Sequence, residues 1–324
     1  MRAIVFERYG PPEVMSLREV GKPIPDSGSL LIKIYAAGVN PQDWHCLRGV
    51  PLLARLLVGG LLKPKHQVLG SDLAGTIEAV GDGVSAFKPG DEVFGFSFKH
   101  GAFAEFACLP VSGIVVKKPA SLSFESAAAV PVSSLMALMG LRDKGEVKPG
   151  QKVLINGASG GIGTFAVQIA KAFGAEVTGV CSTPNLELVR SLGADRVIDY
   201  TKTNFTHEST RYDLIFDVAA KRTFGECRRA LTRNGIYVST AFSLGLLLRS
   251  FWVALTSGRR LKPMLQRPTQ ADLAVVKGFT EAGVVCPVID RRYPLAEVPD
   301  AIAYVEKGHA RGKVVIDIRV GIGG

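Results

Sequence analysis

Short apolar runs split by proline and glycine fill the first third of the chain. Residues 2–7, 29–39, 73–80, 92–96 and 103–109 read as strands, and Pro11-Pro12, Pro23 to Gly28, and Lys88-Pro89-Gly90-Asp91 read as turns between them. The pattern predicts an all-β region closing into a partly open barrel. Residues 124–142 are then apolar and alanine-rich, as a helix would be, and Lys148-Pro149-Gly150 turns the chain into a buried run at 153–155. Beyond it the period changes from two to 3.6, with Ile162, Phe165, Ala166, Ile169, Ala170 and Phe173 sharing one helical face. Strands at 176–181, 196–200, 212–218, 235–240 and 260–266 alternate with helices at 185–192, 224–231 and 270–281, which is the repeated β-α-β order of a doubly wound parallel sheet. Residues 285–289, a helix at 295–307 and a strand at 313–319 change character again and read as a return into the first domain.

The predicted class is therefore α/β. A β-barrel domain spans 1–123 and is completed by 285–324, and a dinucleotide-binding domain spans 124–284. The second domain is organised around Asn156-Gly157-Ala158-Ser159-Gly160-Gly161-Ile162-Gly163, set between a strand and a helix. A turn this tight needs residues that accept positive φ and lack a β-carbon where backbone approaches a pyrophosphate, and the helix N-terminus behind it offers unpaired N–H groups to the anion. Ala158 stands where the first glycine of the common pattern would be. Gly157, Ala158, Ser159, Gly160, Gly161, Ile162 and Gly163 are the candidate cofactor contacts.

Composition narrows the picture. A chain of 324 residues with 47% hydrophobic content can fill two cores. Its first residues carry Glu7 and lack the apolar core and cleavage site of an export signal, and Cys46, Cys108, Cys181, Cys227 and Cys286 are odd in number and scattered, so the expectation is a cytoplasmic protein with reduced thiols and no cysteine zinc cluster. The formal charge of +10 is spread over Arg228-Arg229, Arg259-Arg260 with Lys262, and Arg291-Arg292, and predicts a solvated face rather than a nucleic-acid partner. Two leucine-rich stretches, 51–62 and 244–255, are shorter than the roughly 20 residues of a membrane-spanning helix, and each contains an arginine. They read as core or subunit-contact helices, as a wall of a lipophilic pocket, or, for the basic stretch 244–260, as a point of weak peripheral membrane contact.

Several motifs resemble the medium-chain dehydrogenase/reductase superfamily and its zinc-independent quinone reductase-like branch. They are Ala37-Gly38-Val39-Asn40-Pro41-Gln42-Asp43-Trp44, Leu69-Gly70-Ser71-Asp72-Leu73-Ala74-Gly75 with Val80-Gly81, Phe87-Lys88-Pro89-Gly90-Asp91-Glu92-Val93, Gly101-Ala102-Phe103-Ala104-Glu105, the glycine turn, Leu192-Gly193-Ala194-Asp195 with Ile198-Asp199-Tyr200, and Gly312-Lys313-Val314-Val315. The resemblance covers nearly the whole chain. It implies a GroES-like barrel domain beside a Rossmann domain, a homodimer, and hydride transfer from NADPH to a quinone or an α,β-unsaturated carbonyl.

The zinc-dependent relatives place Cys and His ligands where this chain has Asn40, Ser71 and residues 129–134, and they carry a four-cysteine loop that is missing here. Without such ligands a tetrahedral zinc site cannot be assembled. Asn40 matches the residue beside the nicotinamide ribose or substrate, where its amide could hold a carbonyl oxygen; the alternative is a capped turn before Pro41. Ser182 and Tyr200 match positions at a 2′-phosphate, and Val180-Cys181-Ser182-Thr183-Pro184-Asn185 contains no acid, which favours NADPH, although Asn185 stands where a basic residue is usual. Lys313 matches a position near the pyrophosphate, with an ordinary strand-edge lysine as the alternative. Met136 replaces a usual threonine, and His45, Cys46, Arg48 and His100 are weaker candidates for acid, base or nucleophile. These departures keep a second class in view: a non-catalytic protein that binds NADPH as a sensor or structural ligand.

Overall fold

Proline and glycine punctuation divides the barrel region into β1 (Arg2–Phe6), β2 (Met15–Glu19), β3 (Ser29–Val39), β4 (Asp72–Val80), β5 (Glu92–Phe96), β6 (Phe106–Pro110) and β7 (Ile114–Lys117). The computed structural model describes residues 1–52, 54–57, 60–97, 101–240, 250, 258–264 and 267–319. The parallel domain supplies β8 (Lys152–Asn156), β9 (Glu176–Cys181), β10 (Arg196–Asp199), β11 (Tyr212–Asp217), β12 (Leu231–Ser239) and β13 (Arg260–Pro263), and β14 (Ile289–Pro294) and β15 (Lys313–Asp317) follow.

The chain divides into two units. One comprises Met1–Val132, Thr269–Glu281 and Pro287–Gly324, and the other Ser133–Pro268 and Ala282–Cys286. In the first, the main sheet runs β14-β15-β3-β4-β5-β7, with β6 also on β3, and β1 pairs with β2 as a separate ribbon. Its core holds Ile4, Phe6, Leu30, Ile32, Leu73, Phe103, Val115, Val314 and Ile316. In the second, six strands lie in the order β10-β9-β8-β11-β12-β13, all parallel. Leu154, Val180, Ile215, Phe224 and Tyr237 share its core. This order reverses direction between β8 and β11, the point at which open parallel sheets take ligands outside the carboxyl ends of their strands.

The partition runs differently from the expected boundaries at 123/124 and 284/285. The helix Phe124–Ala128 packs on β3 and β4, and Glu125 receives Arg319 at 2.8 Å, which ties that stretch to the barrel. The helix Gln270–Glu281, expected in the parallel domain, packs on β7, and the Gln270 amide donates to the Val115 carbonyl at 2.6 Å. Other differences are local. The helix expected over 124–142 breaks before Pro131, restarts as Pro131–Leu138 and ends in a π-helical segment, Met139–Lys144. The strand expected at 285–289 lies at Ile289–Pro294, through Arg291 and Arg292, because pairing with β15 decides its place rather than its own polarity. β2 and β7 escape notice in the sequence, being short and, in β2, exposed over most of its length.

The shared motifs turn out to be devices of close approach. Gly70 has φ +90, and a β-carbon there would meet Phe103 at 2.8 Å; Glu105 accepts from the Arg2 backbone N–H at 2.7 Å and from its guanidinium at 2.9 Å, fastening β1. Asp195 accepts from the Val177 N–H at 2.7 Å and from Lys171 at 2.8 Å, fixing the turn that leads into β10. In 51–62, Leu52, Leu56, Leu61 and Leu62 are exposed, which sets aside the core among the readings of that stretch. The second leucine-rich stretch, 244–255, lies outside the described residues except Ser250, and His100 lies outside them too. No helix among the described residues is long and apolar enough to cross a membrane.

The helix Gly161–Ala172 sits so near the preceding turn that a β-carbon on Gly163 would lie 2.0 Å from the Gly157 carbonyl oxygen, whereas one on Gly160 would meet nothing nearer than 3.6 Å. Gly163→Ala should therefore lower unfolding free energy by about 3 kcal/mol, the upper end for overpacking, against a helix-propensity gain of about 1 kcal/mol. Gly160→Ala should stay within about 1 kcal/mol of the parent. Urea midpoints check both, and an unchanged midpoint for the Gly163 variant would contradict this packing.

Candidate functional site

Each unit carries a group of buried polar residues gathered at its strand ends. In the parallel unit, β8 ends at Asn156 and the chain enters the turn with Gly157 at φ +90, a conformation that favours glycine. The N–H groups of Gly157 and Ala158 donate to the Val180 carbonyl at 3.1 and 3.0 Å, binding the turn to the end of β9. Ala158 is buried against Gly179, so the alanine occupies space that the β9 glycine vacates. Gly160 caps the helix with extended backbone, and behind it the first-turn N–H groups of Gly161 and Ile162 precede any intrahelical partner. That is an anion cradle with open space at Gly160.

Beneath the turn lies a buried triad absent from the sequence reading. Asp217, at the end of β11, accepts from the Asn156 amide at 2.8 Å, from the Tyr237 hydroxyl at 2.6 Å and from the Ala220 N–H at 3.0 Å. Burial, and then the neighbouring Asp217, push the Tyr237 phenol far up, so it stays a hydrogen-bond donor. Val218 and Ala219 in turn donate to the Asn156 carbonyl, and Ala220 adopts φ +52 to complete the loop facing Gly157.

At the end of β9, Asn185 is buried rather than open: its amide donates to the Ser182 hydroxyl at 3.0 Å, and its carbonyl oxygen has no hydrogen-bond partner among the described residues. Asn185 thus shapes this loop. Tyr200 is exposed. The acid missing from the end of β9 is found on the adjacent strand, where Asp199 is paired in register with Cys181. Its two oxygens accept from Thr183 at 2.5 Å and from Thr201 at 2.7 Å, and these hydroxyls, Thr183 foremost, hold the carboxyl below its ordinary range.

The barrel unit brings its polar residues together through strand register. Val39 pairs with Val314 and Gly38 with Asp72, so the residues at the ends of β15, β3 and β4 converge: Lys313, Asn40 and Asp72. Gly38 permits it, since a β-carbon there would lie 2.6 Å from the Ala128 carbonyl and 2.9 Å from Asp72. Lys313 donates to the Asn40 carbonyl oxygen at 2.6 Å and to Asp72 at 3.2 Å, and the Asn40 amide donates to the same Asp72 oxygen at 3.0 Å. The second Asp72 oxygen takes the Val132 N–H at 3.0 Å.

Lys313 is accordingly no strand-edge lysine but is 2% exposed, with its ammonium held inside the barrel unit by Asp72 and Asn40. Asn40 does cap the helix Pro41–Arg48, but through its backbone, because its amide is committed to Lys313 and Asp72. One amide hydrogen is left to offer another acceptor. Asp43, three residues on, receives the Asn40 N–H at 2.7 Å, and the Gly70 backbone N–H also acts on its buried carboxyl. Burial raises its carboxyl to about 7, with nearby Asp72 adding to the rise. Burial raises Asp72 as well, opposed by Lys313 and by the Asn40 and Val132 donors. Asp43 follows Asn40 by three residues and Asp72 follows Ser71 directly, and only strand register reveals the link of Asp72 to Asn40 and Lys313.

The weaker candidates are tied up elsewhere. Burial, then Asp43, lifts the Cys46 thiol to about 12, so it carries no thiolate at neutral pH. A His45 ring nitrogen lies 2.8 Å from the Val50 carbonyl and its ring stacks on Trp44, while Arg48 pairs with Glu306 at 2.9 Å. Ser71 is buried, and its carbonyl accepts from the Ser97 N–H. Met136 is half-buried in its helix. Among the described residues no group of three His, Cys, Asp or Glu side chains could hold a metal ion. The basic clusters are dispersed by pairing: Arg260 and Lys262 on Glu146, Arg292 on Glu125, and Arg291 over the Tyr304 ring.

Comparison with known proteins agrees with this architecture. Residues 26–120 match the model for the alcohol dehydrogenase GroES-like domain, and residues 192–316 match that for zinc-binding dehydrogenase. The chain is similar to the mitochondrial NAD(P)H oxidoreductase RTN4IP1 of Bos taurus, 35% identical over 98% of this chain and 89% of that one. It is 33% identical to the quinone oxidoreductase of Homo sapiens over 98% of this chain and 97% of that one. Among solved structures, the quinone oxidoreductase from Coxiella burnetii superposes with a TM-score of 0.89 at 31% identity, covering 98% of this chain and 99% of its own.

Asp43 makes stability depend on pH. A carboxyl at about 7 in the folded state, against about 3.9 unfolded, binds more protons folded than unfolded between those values, so stability falls as pH rises through that window and levels off above it. The full difference is on the order of 4 kcal/mol. Asp43→Asn, which keeps an acceptor for the Asn40 N–H, should gain on the parent progressively from about pH 4 to about pH 7. Urea unfolding across this range checks it; a parallel pH profile for the two proteins would show that Asp43 is ionised throughout.

Proposed function

The chain belongs to the medium-chain dehydrogenase/reductase superfamily, in its quinone oxidoreductase-like branch, and is an NAD(P)H-dependent oxidoreductase; from that membership we propose that it uses NADPH to reduce a quinone or an α,β-unsaturated carbonyl without zinc. The observation that carries the reading is the strand-turn-helix cradle at Gly157 to Gly163, where among the described residues a β-carbon on Gly160 would meet nothing nearer than 3.6 Å and the first-turn N–H groups have no intrahelical partner. Bound NADPH would supply a hydride from nicotinamide C4 to the electrophilic carbon of the acceptor, with a proton from solvent completing the reduction.

The protein's own part is positioning. Gly157 and Ala158 fix the turn on β9, the Asp217 triad supports it from below, and Ser182 and Tyr200 stand at the strand ends where the adenosine ribose would lie. In the barrel unit, Asn40 is locked by Lys313 and Asp72, so its remaining amide hydrogen has a fixed direction, as holding a carbonyl oxygen would require. Lys313 contributes through Asn40. Zinc independence is supported by the chemistry at Asn40 and Ser71, where relatives that bind zinc carry thiolate and imidazole. The same reading carries a homodimer and a cytoplasmic setting.

Stopped-flow oxidation of NADPH against quinones and enals tests the activity. Rapid turnover of a member of either class is expected; tight NADPH binding with no turnover of any would favour the sensor role. Gly160→Val should keep the parent's melting temperature yet lose NADPH affinity by at least about a hundredfold, on the order of 3 kcal/mol, because its side chain fills the pyrophosphate space. Calorimetry showing unchanged affinity would remove the cradle from the reading. Activity should also survive prolonged chelation, and stoichiometric zinc lost together with activity would overturn the zinc-free assignment.

A further inference from the structure

We propose that Asp199 limits the preference for NADPH over NADH, a role that rests on the dinucleotide site proposed above. In Rossmann domains the adenosine ribose lies beside the end of the second strand, where an acid accepts a hydrogen bond from the 2′-hydroxyl of NADH and a 2′-phosphate requires small or basic neighbours. The second strand here, β9, ends in Cys181, is followed by Ser182, and has no acid at that end. Its neighbour β10 ends one position opposite, with Asp199 in register with Cys181. The carboxylate reaches across to Thr183, the residue after Ser182, at 2.5 Å. A negative charge therefore stands at the strand end where a β9 acid would place one, although it arrives from a different strand.

Three features make this charge persistent. Asp199 is held by the Thr183 hydroxyl on one oxygen, and by the Thr201 hydroxyl at 2.7 Å and the Thr201 N–H at 3.0 Å on the other. These bonds favour the ionised form and keep its carboxyl low, so it is charged at every pH at which the protein would work. Finally, Pro184 and the buried Asn185 that follow Thr183 bring no cation to the ribose side, and the positive charge that acts on Asp199 is Lys202, in the turn after β10. Ser182 and Tyr200 can still donate to a phosphate, while the Asp199 carboxylate repels it and can accept from a ribose hydroxyl. The result is a site that takes both dinucleotides with a small difference between them.

The test is calorimetric titration of the full-length protein with NADPH and with NADH, comparing the parent with Asp199→Asn and Asp199→Ser. Both variants keep an acceptor for Thr201 and lack the charge, and melting curves confirm that each is folded. NADPH affinity should rise by roughly tenfold in both, and NADH affinity should stay level or fall by a few-fold. Equal shifts for the two dinucleotides, or no shift, in a parent that binds both would overturn the role of Asp199 and leave the cofactor site standing. A parent that binds neither would overturn the cofactor site and this role with it.

Discussion

The parallel unit depends on how closely the helix Gly161–Ala172 lies against the turn before it. A helix whose first turn passes within contact of the Gly157 carbonyl can aim its unpaired N–H groups at the carboxyl end of β8, and only a residue without a β-carbon at Gly163 allows that approach. The rest of the strand ends follow. Asn156 must point toward Asp217, Asp217 must find Tyr237, and the loop through Ala220 must fold over Gly157. Each bond satisfies a buried polar group that would otherwise cost about 1 to 3 kcal/mol, so the turn and its support are stable only as a set.

The barrel unit solves a different problem, the burial of charge. Lys313, Asp72 and Asp43 are all within the barrel, and one ammonium faces two carboxyls. Asp72 takes the direct ion pair together with the Asn40 and Val132 donors, and burial lifts both carboxyls, that of Asp43 to about 7. Such a cluster adds little net stability compared with an apolar replacement, because the desolvation of ions offsets their attraction. What it does provide is a single permitted orientation for Asn40.

Much of this was legible in the chain, for identifiable reasons. The β-α-β alternation and the glycine turn are local signals, and the helix and strands around Gly157 to Gly163 lie close to where their periods placed them. The acidic partners were hidden for the opposite reason. Asp72 and Lys313 lie 241 residues apart and meet only because β4 and β15 flank β3, and Asp199 meets Thr183 only through the pairing of β10 with β9. Periodicity gives the face of a strand but not its neighbour. Lys313 reads as a surface lysine and Asn185 as a loop residue until burial is known, since composition does not separate an exposed polar side chain from a satisfied buried one.

The place of β15 has a consequence for biosynthesis. Residues 133–268 contain every strand of the parallel sheet, so that sheet can assemble as soon as they have left the ribosome. The barrel sheet cannot. Although β3 and β4 are among the first strands made, β15 follows every strand of the parallel sheet, and until it arrives Asn40 and Asp72 lack their ammonium and β3 lacks its β15 partner along Ala36 to Val39. Domains usually mature in the order in which they are translated. Here the amino-terminal one must finish last, and for most of synthesis its exposed strand edge is the segment most in need of a chaperone.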